Sequence, residues 1–244
     1  MRRPACPSPA AKDPPGRPRP PAGLLEPPPD CPCCPRLAHF RLNNRGTLPD
    51  GHNDPVPAFG DRSARLLIVG LAPGLKGANR TGRPFTGDFA GDLLYATLIE
   101  QGLAMGIYGG RADDGLVLVG CRITNAVRCV PPQNKPTPTE ITACNQFLAA
   151  EVTSLRDLRG ILALGRIAHA AVLQSMVLKR NRFPFAHGAF HTIGGELFLA
   201  DSYHCSRYNT NTGRLTPAMF QTVVAEAARR AALAVARTDT AVAT

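Results

Sequence analysis

The sequence predicts an α/β fold, a single-domain α/β/α sandwich on a central, mainly parallel four-stranded sheet. Short apolar runs, helical segments between them, and long loops of glycine, proline and polar residues carry that prediction. Residues 65–71 (RLLIVGL) read as a buried strand. A glycine-rich loop over residues 72–91 follows, and then Leu93, Leu94, Thr97 and Leu98 recur at helical spacing. Residues 116–119 read as a second strand running on toward Ile123, Thr124 and Asn125. Thr137, Pro138 and Glu140 supply a cap, a first-turn proline and a capping box, so a helix starts there with Ile141, Cys144, Phe147 and Leu148 on one side. Residues 161–164 form a third strand, ended by Gly165 and followed by an alanine-rich helix. Residues 196–200 form a fourth strand, and a last helix runs from Thr216 and Pro217 to about Arg237. Ligands of parallel sheets sit at the carboxyl ends of the strands, so the loops after the first, second and fourth strands are the places to look for chemistry.

The chain has 244 residues, enough for one domain with a tail. Eleven of its 24 prolines fall within residues 1–30, where no aliphatic periodicity accompanies them. Residues 1–29 therefore read as a disordered proline-rich tail and residues 30–244 as the folded domain. No apolar run approaches the roughly eighteen residues of a membrane span. The two N-terminal arginines have no apolar stretch behind them, so a cytoplasmic protein is expected rather than an exported one. Lys and Arg number 28 against 18 Asp and Glu, a net charge of +10. The first thirty residues hold five basic and three acidic side chains, so most of that excess lies on the folded part. Such a surface attracts polyanions, nucleic acid first among them.

Eight cysteines are many for a chain of a reducing compartment, where metal binding is a better reading than disulfides. Cys31 and Cys34 make a C-x2-C pair, and Cys129 and Cys144 are separated by fourteen residues. Four thiolates from a turn, a strand end and a helix suit either a tetrahedral zinc or a four-iron cluster, and spacing does not separate the two. Cys33 competes for a place, but the two-residue spacing favours Cys31 and Cys34. Cys6 and Cys121 receive no metal role.

The loop after the first strand, GLAPGLKG, lacks both the G-x-x-x-x-G-K-[ST] and the G-x-G-x-x-G pattern, which argues against a nucleotide site. Residues 79–88 then place an aromatic ring, a carboxylate and two arginines within ten residues. The second strand ends at Asn125 and is followed by a proline-stiffened loop carrying Asn134. After the fourth strand come His204, Arg207, Tyr208, Asn209 and Arg214.

Together GLAPG-x-x-GANRTGRPFTGD, ITNAVRC-x-PP-x-NKPTP and SYHCSRYNTNTGRLT resemble the family-5 uracil-DNA glycosylases, the iron–sulfur branch of bacteria and archaea, from about Cys31 to the final helix. The resemblance implies a bacterial enzyme acting at the nucleoid. It implies release of uracil and other deaminated bases from DNA without strand cleavage, by a monomer. It also implies a structural [4Fe-4S] cluster on Cys31, Cys34, Cys129 and Cys144. Such chemistry flips the base out, grips it, and lets it leave as an anion while the sugar becomes cation-like. By resemblance, Phe85 stacks on the base, Asp88 stabilises the cation-like sugar or guides water, and His204 donates to the departing base oxygen. Asn134 matches a family site position, and Asn125 matches the uracil-reading asparagine of the related family-4 enzymes. Backbone from Gly70 through Ala72 to Gly74 approaches the base closely, as glycine permits. Arg207, Tyr208, Asn209 and Arg214 are the DNA-contact candidates, with Arg207 and Tyr208 suited to wedge into the vacated stack. Family-4 enzymes carry an acid after the first glycine where this chain has Leu71, so Asp88 takes the water-guiding role by default. The competing reading is a metal-stapled nucleic-acid-binding protein without catalysis.

Overall fold

A computed structural model describes the backbone over residues 26–239 and the side chains over residues 26–231. The tail expected over residues 1–29 lies almost wholly outside the described residues. The elements in chain order are α1 (Pro35–Thr47), β1 (Phe59–Gly60), β2 (Leu66–Gly70), α2 (Ala78–Thr81), α3 (Phe89–Glu100), β3 (Ala104–Met105), β4 (Val117–Leu118), β5 (Cys121–Asn125), α4 (Pro138–Ser154), β6 (Gly160–Leu164), α5 (Arg166–Ser175), β7 (Phe190–Gly194), β8 (Leu197–Ser202), α6 (Arg207–Asn211) and α7 (Pro217–Asp239).

The central sheet has six strands in the order β1-β5-β2-β6-β8-β7, not four. Its parallel heart is β5-β2-β6-β8. Of these, β2, β6 and β8 match expected strands, and β5 is the continuation of the run expected to form a strand at residues 116–119. The two additions are the antiparallel edges β1 and β7. A two-residue strand and a half-exposed strand of sequence FHTIG leave little apolar periodicity to find. The run at residues 116–125 is also divided. Val117 and Leu118 pair with β3, Gly120 turns the chain at φ 63°, and the sheet strand begins at Cys121.

Because side chains alternate across a strand, β2 sends Leu66 and Ile68 to one face and Leu67 and Val69 to the other. The first pair packs with Leu94, Tyr95 and Leu98 of α3 and with Phe220, Val223 and Val224 of α7. The second packs with Leu148 and Val152 of α4 and with Ala168 and Val172 of α5. The expected capping box of α4 is present, Thr137 and Glu140 each satisfying the other's backbone N–H. Helix α1 escapes the periodicity because Leu37 shares its inward face with Arg41 and Asn44, both buried polar groups.

Glu26, the first described residue, is tied to the domain by its side chain. Its carboxylate receives Arg128 Nη1 at 2.7 Å and lies 3.7 Å from Arg122 Nη2. Glu151 on α4 receives the same two guanidinium groups from the other side, that of Arg128 at 3.2 Å. This network of two buried cations, buried Glu151 and part-exposed Glu26 fastens Glu26 to β5 and the loop that follows it.

Candidate active site

At the carboxyl end of the parallel strands lies a cavity of about 330 Å³, lined by the loops that follow β2, β5 and β8. It collects Ala72, Gly74, Phe85, Asp88, Asn125, Asn134, His204 and Arg207 from the residues expected on sequence grounds. Leu71, Ala78, Phe89 and Ser206 complete much of the wall.

Sheet register builds the floor. Gly70 ends β2 directly beside Asn125, which ends β5. A β-carbon on Gly70 would collide with both Asn125 Oδ1 and the Phe85 ring, so the absent side chain is what lets those two groups meet over the strand end. Asn125 is 3% exposed, and its Oδ1 is buried without a hydrogen-bond partner. A buried amide oxygen left unpaired costs free energy until a ligand donates to it.

Phe85 is buried and held at φ 54°, a left-handed conformation that bulky residues rarely adopt. Its ring lies stacked on that of His204, with centroids 5.9 Å apart and planes 28° from parallel. Burial pushes the His204 imidazole down to about 4, so the ring is neutral at neutral pH and carries one N–H to donate. The Asn209 amide donates to the His204 carbonyl at 2.8 Å, which gives Asn209 a task in holding the loop.

Asp88 caps α3, accepting from Gly91 N at 3.2 Å. Burial raises its carboxyl above the ordinary value, opposed by hydrogen bonds from the Gly91 and Ala90 amides. A β-carbon on Gly77 would strike its Oδ2, so that loop glycine makes room for the carboxylate. Leu71 also faces the cavity, which leaves Asp88 as the one carboxylate among the described residues lining it.

Asn134 sits at the rim, exposed, at φ 57°. Arg207 is exposed with its guanidinium 5.2 Å from the Phe89 ring centre, and Tyr208 is 73% exposed beside it. Arg214 lies outside this cavity. It lines an adjoining groove with Arg166, Phe185 and Tyr203, its guanidinium 4.6 Å from the Tyr203 ring centre. That groove shares Leu71 and His204 with the main cavity.

Cys31, Cys34, Cys129 and Cys144 line one small pocket on the flank of β5, closed by Leu37, Val127 and Phe147. Among the described residues no three His, Cys, Asp or Glu side chains converge on a single metal-ion position. The surroundings nonetheless fit four thiolates around an iron–sulfur centre. Buried Arg41 donates from Nη1 to Cys129 Sγ at 3.4 Å, and the Arg128 backbone N–H donates to Cys144 Sγ at 3.4 Å. Buried Arg41 has no carboxylate partner among the described residues and its Nε is unpartnered, so its positive charge is placed to meet negative charge in the pocket. Cys33 lines the same pocket and accepts from Gln146 Nε2 at 3.7 Å.

A family model described as the uracil DNA glycosylase superfamily matches residues 57–228. A type-5 uracil-DNA glycosylase of Thermus thermophilus is 47% identical over 83% of this chain and 94% of its own length. One of Mycobacterium bovis is 41% identical over 83% of this chain and 79% of its own. A type-4 uracil-DNA glycosylase of Saccharolobus solfataricus is 31% identical over 61% of this chain. The chain belongs to the uracil-DNA glycosylase superfamily and, within it, to the type-5 uracil-DNA glycosylases.

Proposed function

We propose that this chain is a monofunctional DNA glycosylase of base excision repair, hydrolysing the N-glycosidic bond of uracil, and of other deaminated bases, in DNA. The family is one of N-glycosyl hydrolases, and this chain is an enzyme of that class. A single observation carries the assignment of roles: Phe85, Asp88, Asn125 and His204, from three separate loops, face one cavity roomy enough to admit a nucleobase.

A base swung out of the stack enters that cavity and lies against Phe85. Asn125 Oδ1 accepts a base N–H, ending its own unpaired burial. As the glycosidic bond stretches, negative charge gathers on the base oxygen, and the neutral His204 ring donates to it from a fixed position. Positive character on the sugar is met by ionised Asp88, which also orients the attacking water. Asn134 acts at the rim on the same sugar or water. Arg207, Tyr208, Asn209 and Arg214 engage the surrounding DNA, Arg207 and Tyr208 being exposed enough to fill the vacated stack. Among the described residues no lysine lines the cavity, so no side-chain amine is at hand to form a Schiff base and cut the strand.

Cys31, Cys34, Cys129 and Cys144 would hold a [4Fe-4S] cluster, which ties α1, the β5 loop and α4 together and plays a structural part. The Arg41 and Arg128 donors favour the anionic, cluster-bound form of these sulfurs. The chain acts on DNA as a monomer in the cytoplasm. No helix among the described residues is long and apolar enough to cross a membrane.

The test is an oligonucleotide carrying one uracil. Free uracil and an abasic site that breaks only on alkali treatment are expected. Tight, salt-sensitive binding with no base freed from uracil, hypoxanthine, xanthine or ethenocytosine would instead identify a nucleic-acid binder without catalysis.

A further inference from the structure

Phe85 holds a costly backbone conformation, and a second group of residues outside the cavity holds it there. The loop of residues 83–88 is gripped from the segment that joins β3 to β4. The Tyr108 hydroxyl donates to the Phe85 carbonyl at 3.3 Å and accepts from Gly87 N at 3.2 Å, bridging the two peptides on either side of Thr86. Its ring stacks on Tyr95, with centroids 4.6 Å apart, and the Tyr95 hydroxyl donates to the Pro84 carbonyl at 2.7 Å. One aromatic pair thus satisfies two successive carbonyls of the loop.

Arg83 locks the two segments to each other. Its Nη1 and Nη2 reach the two Asp114 oxygens at 2.7 and 2.6 Å, both side chains being 4% exposed. Its Nε donates to Thr86 Oγ1 at 2.8 Å. The guanidinium lies 5.0, 5.3 and 5.9 Å from the ring centres of Phe59, Tyr95 and Tyr108. Asp114 also accepts from the Gly109 and Leu116 amides, fixing the turn that follows Tyr108. A paired, cation-lined clamp of this depth is far more than an ordinary surface loop needs.

We propose that Tyr108, held in place by the Arg83–Asp114 pair, is a positioning residue that fixes the Phe85 ring over Gly70 as the aromatic wall for the extruded base. This deepens the glycosylase reading and rests on it. Left-handed Phe85 returns to an extended conformation when unpinned, which withdraws the ring from the cavity. Stacking acts on the base before and after bond cleavage alike, so the loss falls on binding rather than on the chemical step.

Tyr108→Phe removes only the hydroxyl and leaves the stack on Tyr95 in place. Loss of its hydrogen bonds is expected to lower kcat/KM on uracil-containing DNA about three- to tenfold. KM and the inhibition constant of free uracil should rise together, with kcat nearly unchanged. In a Phe85→Ala background the same change should cost nothing further, since the residue through which it acts is gone. Equal losses in both backgrounds, or an unchanged KM in the single variant, would overturn the proposal. Amide exchange at Gly87 gives a reading independent of catalysis: it should quicken in Tyr108→Phe, and unchanged protection would also overturn it. An inactive parent enzyme with a protected Gly87 would sink the glycosylase assignment while leaving the clamp standing.

Discussion

The imidazole of His204 and the ring of Phe85 lie stacked at 5.9 Å on one wall of a single cavity, the first delivered by the loop after β8 and the second by the loop after β2. The surface that holds a base and the donor that draws charge from it are therefore neighbours. His204→Ala should lower kcat for uracil release about a hundred- to a thousandfold, as loss of a preorganised donor does elsewhere. Single-turnover kinetics on a uracil oligonucleotide measure it, and a rate near that of the parent would remove His204 from the mechanism.

The same imidazole predicts an acid limb in stability. Its folded value is about 4 against 6.5 for an unburied ring. Above 6.5 both states are neutral and nothing is lost. As pH falls from 6.5 toward 4, the unfolded chain takes up a proton that the folded ring refuses, and stability declines. Denaturant midpoints taken at several pH values should fall less steeply over that window in His204→Asn than in the parent.

Asp88 carries the opposite bargain. Its folded carboxyl titrates above its ordinary value of 3.8, so ionisation at neutral pH weakens the fold. The penalty is absent below the ordinary value and sets in as pH rises through the raised one. Asp88→Asn keeps a good helix cap and should raise Tm at neutral pH, with the gain vanishing near pH 3. It should also lose activity about a hundredfold or more. A variant both less stable at neutral pH and fully active would refute both roles.

Gly70→Ala tests the packing of the floor. The new methyl collides with Asn125 Oδ1 and the Phe85 ring. Moving both should cost about 1–3 kcal/mol of stability, as overpacking does, and raise KM by about tenfold or more. Thermal unfolding and steady-state kinetics are the measurements, and an unperturbed KM would mean that base contacts lie elsewhere.

The cysteine pocket has its own readout. Anaerobically purified protein should be brown with about four irons per chain, and Cys144→Ser should lose the colour together with several degrees of Tm. Colourless parent protein containing zinc would replace the cluster by a different metal.

What the sequence could and could not disclose follows from where each interaction is made. Strands β2 and β6 were legible because both of their faces are buried, leaving apolar runs such as residues 66–69. Strand β5 (CRITN), by contrast, carries Arg122, Thr124 and Asn125 and was overshadowed by the more apolar run before it. The α4 start was legible because a capping box lies within four residues. Edge strands β1 and β7, with partly exposed faces, gave no such signal. Helix α1 hid behind Arg41 and Asn44. The loop residues around the cavity were readable as motifs, yet their partners were not. Asp114 stands thirty-one positions from Arg83, and Tyr108 lies in a glycine-rich stretch with no periodicity to mark it. Neither carries a local signal, since only the folded path brings them beside the Phe85 loop.

Among the described residues, Glu26 supplies one of the two carboxylates facing the paired guanidinium groups of Arg122 and Arg128. A shortened protein beginning at Asp30 would keep Cys31, Cys34, Cys129, Cys144 and every cavity residue, yet leave the Arg122 and Arg128 cations sharing the anion of Glu151. Trimming past Glu26 therefore unbalances the charge beneath the strand that ends in Asn125.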